Sequence, residues 1–76
     1  MMPHIAIAMI PGRDEATKQR LAERMRSALI DELGVPENWV SVSLHEIARE
    51  NWQDVMEQTG DEAMLIRANI QPEEGR

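Results

Sequence analysis

The sequence predicts an α/β (α+β) fold, namely a βαβ unit with two parallel strands, one long helix and a short C-terminal helix. Residues 4–10 and 39–46 carry apolar side chains at strand periodicity, and one long helical segment separates them. A strand, a crossover helix and a second strand in this order form a right-handed connection between parallel strands. The three segments together therefore predict a single βαβ domain.

The first predicted strand covers residues 4–10 and is apolar on both faces. Ile5, Ile7 and Met9 occupy one face, while Ala6, Ala8 and Ile10 occupy the other. A strand of this kind is normally covered on both sides.

The long helix is bounded by recognisable start and stop signals. Pro11 and Gly12 form a turn signal, and Asp14 is a favourable N-cap ahead of Glu15 in the first turn. Gly34 stands where a C-terminal cap belongs. The side chains expected to face the sheet are Leu21, Ala22, Met25, Ala28, Leu29, Ile30 and Leu33.

The second predicted strand, residues 39–46, alternates cleanly between two faces. Val40, Val42 and Leu44 lie on one face, and Ser41, Ser43 and His45 lie on the other. One helix covers only one face of a two-stranded sheet, and a chain this short has a marginal core. We therefore expect a homo-oligomer in which the sheets of different copies meet.

The C-terminal third predicts less regular structure. Residues 49–57 indicate a short helix with Trp52, Val55 and Met56 facing inward, and Gly60 ends it. Residues 61–69 are compatible with a further short helix or with an extended arm on a partner. We expect residues 1–76 to form one domain, with residues 71–76 as a frayed tail.

Composition excludes several classes of function. The net charge of -6 argues against nucleic-acid binding, and zero cysteines exclude disulfides, thiolate zinc sites and a catalytic cysteine. The longest apolar run, residues 5–11, is too short to span a membrane, and the N-terminus does not match a secretory signal. These features predict a cytoplasmic protein without membrane or nucleic-acid partners. Arg20, Arg24 and Arg26 are expected on a solvated helix face.

Residues 3 to about 52 resemble the 4-oxalocrotonate tautomerase family. The resemblance rests on Pro3 ahead of the first strand, Gly12-Arg13 after it, Val35-Pro36 before the second strand, and Trp52. The segments Pro3-His4-Ile5 and Glu50-Asn51-Trp52-Gln53 resemble the branch of small tautomerases that form dimers more than the hexameric enzymes. The resemblance implies a sheet completed across a dimer and a homodimer as the assembly.

The resemblance also implies a site made of Pro3, Arg13 and Trp52. Pro3 would be the general base, which requires a free terminal secondary amine, so translation must start at Met2 for aminopeptidase trimming to expose it. Arg13 would bind a substrate carboxylate or carbonyl oxygen, with a turn residue as its alternative role. Trp52 would line the pocket, or anchor the short helix, or do both.

One departure from the family pattern concerns a second arginine. Hexameric members carry it in the second strand, where this sequence has Ser41, so a substrate with one carboxylate fits better than one with two. Arg49 or Arg67 could substitute for it. His4 and His45 are expected to be surface or strand-end residues, although His45 shares a strand face with Ser41 and could edge the pocket.

The expected function is that of a cofactor-independent and metal-independent isomerase, a keto-enol tautomerase acting on a small enol or 2-keto acid. Two alternatives stay open at this stage. The chain could be a non-catalytic, homo-oligomeric α/β binding module. It could also add water to, or dehalogenate, an unsaturated acid.

Overall fold

The computed structural model describes residues 2–68 of the chain. In chain order it contains strand β1 (His4–Met9), helix α1 (Glu15–Leu33), strand β2 (Ser41–Glu46) and helix α2 (Trp52–Thr59). Short 3₁₀ turns precede the last two elements, at Glu37–Trp39 and Arg49–Asn51. The predicted βαβ order with a short C-terminal helix is confirmed.

The two strands pair in parallel, as predicted. His4 lies opposite Ser41, and Met9 lies opposite Glu46. The pairing continues beyond both ends, because Ser41 N–H donates to the Pro3 carbonyl at 3.3 Å and Ile47 N–H donates to the Met9 carbonyl at 2.8 Å. We call the end at Pro3 and Ser41 the N-terminal edge of the sheet and the end at Met9 and Ile47 the C-terminal edge.

Helix α1 begins and ends at the residues that the cap signals predict. The Asp14 carboxylate accepts the Thr17 N–H at 2.8 Å, and Gly34, at φ 70°, donates its N–H to the Ile30 carbonyl at 2.8 Å. In the first turn of the helix, Lys18 Nζ lies 3.2 Å from a Glu46 carboxylate oxygen. The helix therefore starts at the C-terminal edge and runs back toward the N-terminal edge.

The sheet has one covered face and one open face. Side chains on the covered face are half-buried beneath α1, namely Ile5, Ile7, Met9, Val42 and Leu44. The open face carries His4, Ala6, Ala8, Ser41, Ser43 and His45, all of them exposed except Ser43. The alternation predicted for both strands accounts for this separation.

Both strands are shorter than the sequence pattern predicts. The second strand begins at Ser41 rather than at residue 39, because residues 37–39 wind into a 3₁₀ turn in which Val40 N–H donates to the Glu37 carbonyl at 3.2 Å. The first strand ends at Met9 rather than at Ile10. In α1, Met25 and Leu33 are 38% and 55% exposed, so the buried stripe is narrower than predicted.

The C-terminal segment is irregular in the part that the structure describes. After Gly60 the chain makes a turn, with Met64 N–H donating to the Asp61 carbonyl at 3.2 Å, and then a bend. Neither a further helix nor a strand forms between residues 61 and 68. The predicted tail at residues 71–76 lies outside the described residues.

The protomer has almost no core of its own. Among residues 2–68, Val40 is the only buried hydrophobic residue, at 9% exposure, while Leu65 and Ile66 are 91% and 90% exposed. No helix in this part of the chain is both long enough and apolar enough to cross a membrane. A sheet with two strands and one uncovered face is expected to be marginal in isolation.

Candidate active site

The predicted base lies at the N-terminal edge of the sheet. Pro3 is half-buried and immediately precedes β1, and its carbonyl accepts the Ser41 N–H. Val40, the buried residue of the protomer, precedes Ser41 in the chain. Trp39 lies one residue earlier and is 39% exposed. The hydrogen bond from Ser41 therefore ties the backbone of Pro3 to the sheet, and the two residues that precede Ser41 in the chain are apolar.

The predicted substrate-binding residues lie at the C-terminal edge. Arg13 follows Gly12, whose φ of 139° is strained for any residue with a side chain, and precedes the N-cap Asp14. Trp52 is half-buried and begins α2, a few residues after Ile47 has paired with Met9. Arg13 and Trp52 thus both follow the carboxyl ends of the two parallel strands.

The structure does not bring Pro3 together with Arg13 and Trp52 within one protomer. Strand β1 separates the two edges by six residues, which corresponds to about 20 Å at roughly 3.3 Å per residue. The start of α1 is held at the C-terminal edge by Lys18 and Glu46, so Arg13 is held there as well. A small substrate cannot contact all three residues of a single copy.

Ionic contacts define the helix start next to Arg13. Hydrogen bonds from the Thr17 side chain and backbone lower the pKa of Asp14 below its ordinary value of 3.8. Hydrogen bonds to Glu15 and then to Glu46 raise the pKa of Lys18 above its ordinary value of 10.5. The Lys18 Nζ lies 2.9 Å from the Glu15 carboxylate. Asp14 and Lys18 therefore keep their ionised forms near neutral pH, and their contacts lie in the first turn that follows Arg13.

A groove of about 380 Å³ lies between α1 and β2 near the N-terminal edge. Its walls include Val40, Ser41 and Arg26, and the Arg26 guanidinium lies 3.4 Å from the Glu37 carboxylate. Arg26 therefore contributes to a groove wall rather than only to a solvated helix face. Sequence reasoning missed this position, although its spacing of four residues from Ala22 places it on the covered side of α1.

The residues proposed to replace the second arginine lie away from Ser41. Arg67 pairs with Asp61 at 3.1 Å in the irregular C-terminal segment. Arg49 begins the 3₁₀ turn that follows the C-terminal edge. Within one copy, Arg26 is the arginine whose side chain lines the same groove as Ser41.

A chain of polar side chains crosses the open face. His4 Nδ1 lies 2.6 Å from Ser41 Oγ, and His4 Nε2 lies 2.9 Å from Ser43 Oγ. Ser43 Oγ in turn lies 2.7 Å from His45 Nε2. The sequence alone does not link the two histidines. The parallel register, which places His4 opposite Ser41, is the signal that links them.

No three potential metal-ligating His, Cys, Asp or Glu side chains are grouped within residues 2–68.

Comparison with known proteins identifies relatives for most of the folded region. The profile of a family described as tautomerase enzyme matches residues 3–56. A 2-hydroxymuconate tautomerase of Pseudomonas putida is 41% identical over 51 residues, which cover 67% of this chain and 81% of the relative. A relative of the same name from Comamonas testosteroni is 37% identical, with the same coverage.

Two further comparisons agree with these. A probable tautomerase of Xylella fastidiosa is 35% identical over 67% of this chain, but the match spans only 62% of that relative. A crystal structure described as apo unfused 4-OT superposes with a TM-score of 0.60 and 32% identity, covering 62% of this chain and 81% of that one. The match to the family profile ends at residue 56.

Proposed function

The chain belongs to the tautomerase family, and from that premise we propose that it is a cofactor-independent tautomerase acting on a small enol or 2-keto acid. The observation that carries the proposal is the position of Pro3, half-buried at a sheet edge within the region that matches the family. Two relatives are named for 2-hydroxymuconate, which supports an unsaturated, oxygen-rich acid as the substrate class.

Pro3 is the proposed proton carrier. An internal proline nitrogen is an amide without useful basicity, whereas a terminal proline is a secondary amine that accepts a proton. Ordinary α-amino groups titrate near 7.7 to 8.0, and an apolar environment lowers the pKa of an amine toward neutrality. Val40 and Trp39 precede Ser41, whose N–H binds the Pro3 carbonyl, and they are the proposed source of such surroundings.

Arg13 is the proposed binding group for the substrate's carboxylate or carbonyl oxygen. A guanidinium offers two parallel hydrogen bonds to a carboxylate. Its charge also stabilises the negative charge that develops on oxygen when a proton leaves carbon. Trp52, which follows the same sheet edge, would exclude water from the bound substrate.

We further propose that each site forms between two copies. Pro3 and Arg13 lie at opposite edges of one sheet, so an antiparallel second copy places the N-terminal edge of one protomer against the C-terminal edge of the other. A two-fold axis generates two such sites from two identical chains. The sparse core of the protomer supports the same arrangement, since a homodimer would bury additional apolar surface.

The test compares two proteins that differ only ahead of Pro3. One begins at Pro3 and the other keeps Met2 before it, and intact-mass measurement verifies each terminus. We expect the protein that begins at Pro3 to convert phenylenolpyruvate or 2-hydroxymuconate to the keto form. The conversion is measured by the change in ultraviolet absorbance. The blocked protein should be at least about 100-fold slower, because its Pro3 nitrogen is an amide and its terminal amine is displaced to Met2.

Two outcomes would contradict the proposal. Equal rates in the two proteins would exclude Pro3 as the base. No conversion of either substrate by protein that is folded and begins at Pro3 would favour a non-catalytic binding module instead.

A further inference from the structure

The polar side chains on the open face form one continuous hydrogen-bonded chain of four residues. Ser41 contacts His4, His4 contacts Ser43, and Ser43 contacts His45, at 2.6, 2.9 and 2.7 Å. We call these four residues the open-face chain. Both ring nitrogens of His4 take part, so its imidazole is held between two hydroxyls, one at each end.

The open-face chain can adopt two hydrogen-bonding arrangements. A hydroxyl donates one hydrogen bond, so Ser43 donates to one imidazole and accepts from the other. If Ser43 donates to His4, then His4 Nδ1–H donates to Ser41. If Ser43 donates to His45, then Ser41 donates to His4 Nδ1. Both arrangements satisfy every contact with neutral imidazoles. The second converts into the first when one proton moves along each bond toward His45, one proton enters at Ser41 Oγ and one leaves His45 Nδ1.

The position of the open-face chain connects it to the proposed base. Ser41 donates its backbone N–H to the Pro3 carbonyl, so its hydroxyl lies beside the N-terminal edge. His45 lies opposite Ala8, toward the C-terminal edge. The titratable group that faces His4 from β2 is His45, reached through Ser43. Lys18 and Glu46 contact each other on the covered side, where α1 packs.

We propose that the open-face chain is a proton relay that serves the substrate oxygen during tautomerisation, an inference that rests on the proposed function of Pro3. In the enol-to-keto direction, the Pro3 ammonium gives its proton to the substrate carbon while the enol O–H bond breaks and the carbonyl forms. The enol proton passes to Ser41 Oγ, and one proton moves along each bond until His45 becomes protonated. Water then removes that proton and reprotonates Pro3.

This step balances without an oxidant, a reductant or a metal. One C–H bond forms, one O–H bond breaks, and the proton lost by Pro3 matches the proton gained at His45. Ser41 is the member that contacts substrate, and His4, Ser43 and His45 act through it. The relay also gives the substrate oxygen a polar partner in the Ser41 hydroxyl.

The decisive variant is His4→Gln in protein that begins at Pro3. A glutamine side chain has both a donor and an acceptor for the two serines, so it preserves hydrogen bonding but cannot pass a proton. We expect kcat to fall about 100-fold, as is typical when one acid-base group is lost, with KM changed less than threefold. Ser27→Ala, on the exposed side of α1, is the matched control and should keep full activity.

A second variant separates proton transfer from structure. His4→Ala removes the ring and leaves space beside Ser41 and Ser43, and added free imidazole should restore kcat by at least about 10-fold. A purely structural role for His4 would not produce rescue that saturates with imidazole concentration. His4→Gln, in which the space is filled, should not respond to imidazole.

The outcomes distinguish this inference from the proposed function. If the parent protein is active and blocking Pro3 removes the activity, the proposed function stands. If His4→Gln then remains within threefold of the parent, or imidazole leaves His4→Ala unchanged, the relay is excluded and Pro3 transfers both protons. If the parent protein itself has no activity, both the proposed function and the relay are wrong.

Discussion

The two edges of the sheet differ in what they contribute to a site. The N-terminal edge carries Pro3, Val40 and the Ser41 hydroxyl, which are suited to moving a proton in apolar surroundings. The C-terminal edge carries Arg13 and Trp52, which are suited to holding an anion. One chain therefore contains every group that the proposed reaction needs, but the proposed base and the proposed anion-binding residues lie about one strand length apart.

The largest expected effect comes from separating the edges genetically. Keeping Met2 ahead of Pro3 and the substitution Arg13→Ala should each lower kcat/KM by about 100-fold or more, because the first makes the Pro3 nitrogen an amide and the second removes the guanidinium. Unfolding, mixing and refolding the two variants should recover activity, since half of the random dimers then contain one intact site. The expected recovery is about one quarter of the parent rate, measured by absorbance.

Refolding each variant alone is the control for that mixing experiment. A mixture with no more activity than the separate variants would show that Pro3 and Arg13 act within the same copy. Arg13→Lys sharpens the role of the arginine, because lysine keeps the charge but loses the paired hydrogen bonds. It should recover only part of the binding.

A smaller effect is expected from the tryptophans, which lie at different edges. Trp52→Ala should raise KM and lower kcat by roughly 10-fold if its ring excludes water from the bound acid.

Trp39→Ala would change the proposed apolar surroundings of Pro3, and it should shift the pH dependence of kcat/KM toward the higher pKa of a solvated amine. Trp39→Phe is the conservative control. If the parent, Trp39→Ala and Trp39→Phe had identical pH profiles, Trp39 would have no role in setting the pKa of Pro3.

The smallest expected effect concerns the helix start that holds Arg13. Since the Thr17 hydrogen bonds lower the pKa of Asp14, its stabilising contribution is present above pH 3.8 and is lost as the pH falls through its pKa in the folded protein. Asp14→Ala should lower the thermal midpoint at pH 6, and the difference from the parent should vanish well below pH 3.8. Asp14→Asn still caps the helix but has no titrating side chain at this position, so the stability that residue 14 contributes should not change over the same pH range.

The stabilising contribution of Lys18 changes with pH in the opposite direction to that of Asp14. Its raised pKa means that its contribution persists below pH 10.5 and is lost only as the pH rises through the folded-state value. Between these limits the contacts of Asp14 and Lys18 both hold. A midpoint difference for Asp14→Ala that stayed constant down to pH 2 would contradict the role assigned to its carboxylate.

The elements that the sequence predicted correctly are those set by local chemistry. Asp14 and Gly34 bound α1 because a side-chain acceptor and a left-handed residue satisfy helix ends without tertiary help. The two faces of β1 and β2 follow from strict alternation. By contrast, Trp39 was assigned to a strand although it lies in a 3₁₀ turn, because an aromatic beside Val40 gives the same local signal in either structure.

The features that could not be predicted depend on register between distant segments. The contacts of His4 with Ser41 and Ser43 join residues 37 and 39 positions apart, and neither strand alone indicates which residue faces which. The same holds for Arg26, whose place on a groove wall depends on the angle of α1 over β2. The sites of Pro3, Arg13 and Trp52 remain predictions, and only the edge that each occupies is observed.

The burial of Val40 alone among the described hydrophobic residues has a consequence for abundance. In the proposed homodimer, the chain would complete both its core and its site in one bimolecular step. At low expression, the number of assembled molecules then grows with the square of the number of chains made, while unassembled copies are open to proteolysis. In that range, doubling the synthesis of the chain would more than double the reaction rate, because the fraction of chains that are assembled rises with their concentration.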